Sequence, residues 1–289
     1  MTKVWLVTGS SRGLGRCVAQ AALEAGDRVV ATARSTDAVS DLAERYGPRV
    51  LPFRLDVTDG DAAHAAVTAG VAEFGRLDVV VSNAGYATLA SIEDMTESEF
   101  RSQIETNFFG VVNVVRAALP VLRAQGSGHL IQVSSIGGRV GNAGLAAYQS
   151  AKWALGGFTE ALAAEVNPLG IKTTVIEPGG MRTEWAGASM TIPPISEPYR
   201  ESVGFLAEIF GMPGAAASDP AKVADLLVRL ADLDDPPRRL VVGSDALAAA
   251  LAVSKQLLAN DEQWRELSLA TGYEADSVEQ DELEPERAR

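Results

Sequence analysis

Seven short runs of β-branched and aliphatic residues recur along the chain: VWLVTG from Val4, RVVATAR from Arg28, RVLPFRLD from Arg49, LDVVVSNAG from Leu77, HLIQVSS from His129, KTTVIEPGG from Lys172 and RRLVVGS from Arg238. Each is continuously apolar rather than alternating, as expected of strands covered on both faces. The intervals leave room for one or two helices each. Between the first two runs Leu14, Val18, Ala22 and Ala25 repeat at helical spacing, and Gly26 closes the segment as a C-terminal cap. Further on, Asp219 and Pro220 stand at the N-cap and first position of a helix leading to the last strand. Strands alternating with helices predict an α/β fold, a Rossmann-type doubly wound sheet of seven parallel strands flanked by helices.

Two segments break this rhythm. Residues 182–217 contain IPPISEPY and GMPGAAA together with Trp185, Met190, Tyr199, Phe205 and Phe210. The stretch is too apolar for a linker and too irregular for one helix, and reads either as a substrate lid or as an insertion covering core. After Gly243 a long amphipathic helix precedes the acidic end EADSVEQDELEPERAR. The organisation expected is therefore one domain over residues 1–243, lid included, and a helical extension with an acidic tail over 244–289.

The totals narrow the function. Acidic residues outnumber basic ones by 38 to 25, a formal charge of -13 in 289 residues, which argues against nucleic acid or an anionic membrane as partner. The single cysteine, Cys17, excludes an internal disulfide and a cysteine metal cluster, and reads as a small apolar helix residue. No metal site is expected. No apolar run reads as a membrane span, and MTKVWLVTGS passes straight into a strand, so the expected location is cytoplasmic. His64 and His129 stand outside any motif and are expected to be surface or structural residues.

TGSSRGLG places Gly9, Gly13 and Gly15, with Ser11, Arg12 and Leu14, between the first strand and first helix. Glycines there permit the sharp turn and close backbone approach that a pyrophosphate needs, and the helix N-terminus supplies free N–H groups. The Gly-Lys-Ser/Thr ending of a nucleotide-hydrolysing loop is missing. At the end of the second strand, where an acid would bond the ribose hydroxyls of NAD, the chain has Ala33 and then Arg34. Arg34 and Arg12 are two guanidiniums for a 2′-phosphate, so the cofactor expected is NADP(H). Asp37 belongs to the start of the next helix.

In YQSAK, Tyr148 and Lys152 are four apart and share a helix face. A free phenol has a pKa of about 10, and a fixed ammonium beside it favours the phenolate. The pair is then a proton donor for a reacting carbonyl oxygen.

The ordered set TGSSRGLG, LDVTD, SNAG, ETNFFG, VSSIGG, YQSAK and EPGGMRT resembles the short-chain dehydrogenase/reductases. The resemblance implies catalytic roles for Asn107, Ser135, Tyr148 and Lys152: Tyr148 as general acid or base, Ser135 rather than Ser134 on the substrate oxygen, Lys152 on the nicotinamide ribose while depressing the tyrosine pKa, and Asn107 holding a water. It likewise implies that Asp56 and Val57 recognise adenine, that Asn83, Ala84 and Gly85 lie under the adenosine ribose, and that Ile176, Pro178, Gly179 and Thr183 pass along the nicotinamide. Ser82 departs from the family's Asn-Asn-Ala-Gly. The expected activity is NADPH-dependent reduction of a mainly apolar carbonyl compound, or oxidation of the matching secondary alcohol. A non-catalytic NADP sensor of the same fold is the alternative. The resemblance further implies a homo-dimer or homo-tetramer, built on the helices around residues 101–124 and 148–167.

Overall fold

In chain order the elements of the computed structural model are β1 (Val4–Val7), α1 (Gly13–Glu24), β2 (Arg28–Ala33), α2 (Ser40–Tyr46), β3 (Val50–Arg54), α3 (Gly60–Phe74), β4 (Val79–Ser82), β5 (Ala87–Thr88), α4 (Glu97–Ile104) and α5 (Gly110–Gln125). They continue with β6 (Gly128–Val133), α6 (Ala146–Val166), β7 (Ile171–Pro178), β8 (Met190–Thr191), α7 (Phe205–Gly211), α8 (Pro220–Leu230), β9 (Arg239–Val242), α9 (Ser244–Gln263) and α10 (Arg265–Leu269). The structure describes residues 2–183, 189–211 and 217–272. Trp185, the side chain of Phe210 and the acidic end from Glu274 lie outside the described residues.

Seven strands form one parallel sheet in the order β3-β2-β1-β4-β6-β7-β9. All seven runs singled out in the sequence are in it. The chain works outward from β1 to β3, returns across the sheet to β4 and works outward again, so β1 and β4 flank the point where the winding reverses. Ligands of such sheets bind there, beyond the carboxyl ends of the strands.

Each strand feeds both faces because its side chains alternate. Trp5 and Val7 enter one layer with Val18, Ala22, Val223 and Leu227 of α1 and α8. Val4 and Leu6 enter the other with Val67, Val114, Val115, Leu155 and Leu162 of α3, α5 and α6. In α1 the buried face runs through Leu14, Val18, Ala22 and Leu23, while Ala25 is an exposed cap, so the apolar stripe ends one turn earlier than the spacing predicts. Gly26 has φ +92, as its capping position requires. The N-cap at Asp219 is present, its carboxylate accepting from Ala221 N–H at 2.9 Å.

One correction concerns length. The helical run Glu97–Gln125 is 29 residues and apolar enough to cross a bilayer, a segment the sequence pattern did not flag. It is a core helix here: Val111, Val114, Val115, Ala118 and Leu122 are buried against the sheet.

The chain divides into two compact units, residues 1–250 and 251–289, so the first turns of α9 belong to the larger unit although the helical extension was expected to begin at 244. The smaller unit holds the rest of α9 and α10.

His129 sits inside the sheet on β6, between Val79 and Lys172. Its Nε2 meets Thr174 Oγ1 at 2.9 Å and its Nδ1 has no hydrogen-bond partner. Burial, with Lys172 nearby, pushes its pKa down to about 4. The native state therefore holds it neutral, while an unfolded histidine titrates near 6.5. This stabilisation is complete above about pH 6.5 and is lost as pH falls toward 4, by about 3 kcal/mol at the limit. Urea titrations at pH 7.5 and pH 5 are expected to show about 2 kcal/mol of that loss in the wild type and a shallower one in His129→Gln.

Candidate active site

The glycine loop leaves β1 with Gly9 and Gly13 in the left-handed region, φ +70 and +56. Such values need glycine, and they turn the chain so that α1 begins with Arg12 in extended conformation and no side chain capping its N–H groups. Thr8 and Asn83 tie this loop to the one after β4. Thr8 Oγ1 accepts from the N–H groups of Asn83 and Ala84, and Asn83 Nδ2 donates to Thr8 O at 2.9 Å.

Beyond these strand ends lies a cavity of about 990 Å³. Gly9, Ser11, Arg12, Gly13 and Leu14 line it from the glycine loop, and Arg34 from the end of β2. Asp56, Val57, Asn83, Ala84 and Gly85 line it as well, as do Pro178, Gly179, Thr183, Tyr148 and Lys152. Thr183 stands beside the glycine loop, where a Cβ at Gly13 would meet its Cβ at 3.6 Å. Two expected cofactor contacts are not on this wall. A side chain at Gly15 would collide with Gly9 O and Asn83 Nδ2, so this glycine serves close packing of helix on loop. Ile176 is fully buried in the sheet core.

Asp56 Oδ1 accepts from Thr58 N–H at 3.0 Å and Thr58 Oγ1 at 2.8 Å. These bonds, with the charge of Arg34 nearby, hold its carboxyl below the usual carboxylate range.

Asn107 lies in a π-helical turn, Glu105–Phe109, between α4 and α5. Such turns mark places where a regular helix would aim a side chain elsewhere. Its amide donates to Tyr86 O and Gln103 O, both at 2.9 Å, and its Oδ1 accepts from Tyr86 N–H at 3.2 Å. Both amide hydrogens are thus committed to backbone, while Asn107 also lines the cavity. The composition of ETNFFG carries no signal of the π turn.

Tyr148 is hydrogen-bonded to Ser135, whose Oγ also accepts from Gly137 N–H at 3.0 Å. Ser134 donates instead to the Lys152 carbonyl at 3.2 Å; it is Ser134 that lines the cavity, while Ser135 does not. Lys152 Nζ donates to Val133 O at 2.8 Å and stands 5.6 Å from the centre of the Tyr148 ring. The expected depression of the tyrosine pKa is not what the surroundings produce. Burial pushes Tyr148 up to about 12, with only the Ser135 bond opposing, and burial pushes Lys152 down to about 8. Both groups have lost water, and the ammonium is turned onto a backbone carbonyl.

Below this site Glu177 is fully buried on β7 and paired with Arg139 and Arg239; Arg239 also reaches Glu160 at 2.7 Å. Arg139 is thus a structural ion-pair partner. It fixes the turn after Ser135 to the sheet.

Several wall residues were missed. Tyr86, Ser102, Thr106, Ser189, Ile209 and Asp245 also line the cavity. Of these, Asp245 had a signal: it follows the end of the last parallel strand by three residues, on the edge where all the strands end. The segment that the sequence left open as lid or insertion contributes Met190, Tyr199 and Val203 to a small core with Ala87, Leu89, Leu145 and Tyr148, whereas Phe205 is 62% exposed.

A parallel doubly wound sheet, a glycine loop at its switch point, and Tyr148 and Lys152 on the wall of the same cavity, with Ser135 bonded to the tyrosine behind it, define a nicotinamide-dependent oxidoreductase. The chain belongs to the short-chain dehydrogenase family, whose model matches residues 3–191. It is 52% identical over 273 residues to "Oxidoreductase BOA17" of Botryotinia fuckeliana, covering 94% of this chain and 100% of that one. A crystal structure of a short-chain dehydrogenase from Streptomyces avermitilis superposes with a TM-score of 0.89 at 38% identity, over 94% of this chain and 100% of that one. An alcohol dehydrogenase from Thermococcus sibiricus complexed with 5-hydroxy-NADP has a TM-score of 0.70 at 26% identity, over 84% and 97% of the two chains.

Glu177→Gln leaves two guanidiniums around a neutral amide. It is expected to destabilise the fold by about 3 kcal/mol, read as a lowered urea midpoint at unchanged slope.

Proposed function

We propose that the protein is an NADPH-preferring carbonyl reductase, or the corresponding secondary alcohol dehydrogenase, acting on a mainly apolar substrate. The observation that carries the chemistry is Tyr148, bonded to Ser135 and next to Lys152 on the wall of a cavity that also holds the glycine loop. The residues present fit a nicotinamide dinucleotide. Left-handed Gly9 and Gly13 open the backbone beside an uncapped helix N-terminus, and the cavity continues from there to the tyrosine.

When bound, the cofactor supplies or accepts the hydride. Tyr148 gives its proton to the carbonyl oxygen as the hydride reaches the carbonyl carbon, and Ser135 donates a hydrogen bond to the same oxygen. Burial favours the neutral phenol, so Tyr148 carries that proton when the substrate arrives. Lys152 orients the ribose and offsets the charge left on the phenolate. Oxidation of an alcohol reverses each transfer. The complete set of Asn107, Ser135, Tyr148 and Lys152 favours turnover over the sensing alternative.

Arg34 on the cavity wall, with Ala33 where an NAD site carries an acid, supports NADPH. Met181, Ile209 and Tyr86 on the same wall support an apolar substrate. Phe109, 44% exposed, and Trp153, 49% exposed, lie on the helices expected at a subunit contact and support a homo-oligomer.

Cofactor oxidation followed optically against a panel of ketones and aldehydes tests this function. Turnover with NADPH is expected to exceed that with NADH and to fall at least about 100-fold in Tyr148→Phe. Arg34→Ala is expected to raise KM for NADPH about tenfold while leaving NADH unchanged. Equal use of both cofactors, or a Tyr148→Phe variant as active as wild type, would sink the respective half of the proposal.

A further inference from the structure

The loop after β7, residues 179–183, lines the cavity, and it is held from three sides. Gly179 N–H donates to Val242 O at 3.0 Å, Ser218 N–H donates to Gly180 O at 2.9 Å, and Arg182 N–H donates to Ser218 O at 3.0 Å. The third support is a side chain. Gly180 N–H donates to Asp245 Oδ2 at 2.8 Å, from the first turn of α9.

The carboxylate is seated among glycines. A Cβ at Gly179 would collide with both of its oxygens, and one at Gly243 would lie 2.7 Å from Oδ1. Gly243 also has φ +105, which turns the chain from β9 into α9 and so brings Asp245 under the loop. Asp245 lines the same cavity as Gly179, Gly180, Thr183 and Tyr148. Among the described residues it forms no ion pair with a lysine, arginine or histidine.

A negative charge without a countercharge is a poor choice for the wall of a dinucleotide site. The phosphates of the ligand are repelled by it, and a neutral reduced nicotinamide gains nothing from it. The oxidised nicotinamide ring carries a fixed positive charge and is the one part of the ligand that it attracts. We infer that Asp245 makes the site prefer the oxidised over the reduced cofactor, with the C-terminal helix supplying the charge and the bond to Gly180 holding it in place. This inference rests on the dinucleotide reading above, with the nicotinamide passing along Pro178 and Gly179 as the family resemblance implies.

By linkage, a site that holds the oxidised cofactor more tightly draws the bound equilibrium toward reduced substrate. Asp245 is thus a charge-setting and positioning residue for carbonyl reduction, with no proton to transfer. Because it is solvent-exposed, its effect is expected at about three- to tenfold in relative affinity rather than hundreds.

The test is direct binding. Dissociation constants for NADP+ and for NADPH are measured by calorimetry on the full chain, as wild type, Asp245→Asn and Asp245→Ala. Asparagine keeps an acceptor for Gly180 and removes only the charge. It is expected to weaken NADP+ about three- to tenfold and to leave NADPH unchanged, and added salt is expected to narrow the NADP+ to NADPH ratio in wild type but not in Asp245→Asn. Alanine removes the acceptor as well and is expected to weaken both forms in addition. An unchanged ratio in Asp245→Asn, with both forms still bound by wild type, overturns the inference and leaves the dinucleotide reading standing. If wild type binds neither form, that reading fails first and the inference with it.

Discussion

The hydrogen bonds of Thr8 and Asn83 join the two halves of the sheet where its winding reverses, and the site is strung along the segments they position. Asn83 places the loop 83–85, and the carboxamide of Asn107 sits so close to Gly85 that a side chain there would meet its Oδ1. Asn107 in turn bonds Tyr86 and Gln103, and Gln103 accepts from Thr88 N–H at 2.9 Å on β5. One polar seam thus runs from the glycine loop to the strand that carries the segment after β7. Each of its members is a buried or half-buried group whose partner is backbone, so removing one leaves an unsatisfied amide rather than a weaker contact. Ser82, at the start of this seam, is the exception, since its hydroxyl is buried without a hydrogen-bond partner. It replaces the family's asparagine with a smaller group that the sheet accommodates but does not use.

What could be read before the structure was whatever depends on strand ends. Parallel strands terminate on one edge, so motifs at those ends converge whatever the intervening helices do. That is why the glycine loop, Arg34, Asp56, Asn83, Ser135 and Pro178 lie in or beside one cavity. What stayed hidden depends on which way side chains turn. Ile176 and Gly15 belong to the right motifs but face the core or a neighbouring backbone. Asn107 reaches its partners only through a π turn that ETNFFG does not announce. Arg139 and Glu177 are 38 residues apart and meet across adjacent structure, which no local pattern reveals.

The Tyr148 and Lys152 spacing was legible and its electrostatic consequence was not. Spacing on a helix settles that two groups share a face, but a pKa depends on how much water each has lost. Both side chains are buried, and burial acts in opposite directions on a phenol and an ammonium, driving each toward its neutral form. The result is an acid that keeps its proton and a base that holds its charge weakly.

The same burial links the segment after β7 to the tyrosine. Tyr148 packs in a small core with Met190 and Val203 of that segment and with Leu145, just before α6. β8 reaches that position because Leu89 N–H bonds Thr191 O at 2.9 Å, while Ala90 N–H bonds Gly144 O at 2.9 Å on the catalytic turn. The strand that seats that segment thus also seats the loop leading into α6. The side chains that remove water from the phenol are therefore not those of the cavity wall: Ala87, Leu89, Leu145, Met190 and Val203 pack on Tyr148 from behind, and none of them lines the cavity. A smaller residue at Met190 or Val203 would open a void behind the tyrosine and, by admitting water, lower the cost of the phenolate without reshaping the wall. The acidity of the phenol is accordingly set by a core that the other wall residues do not share.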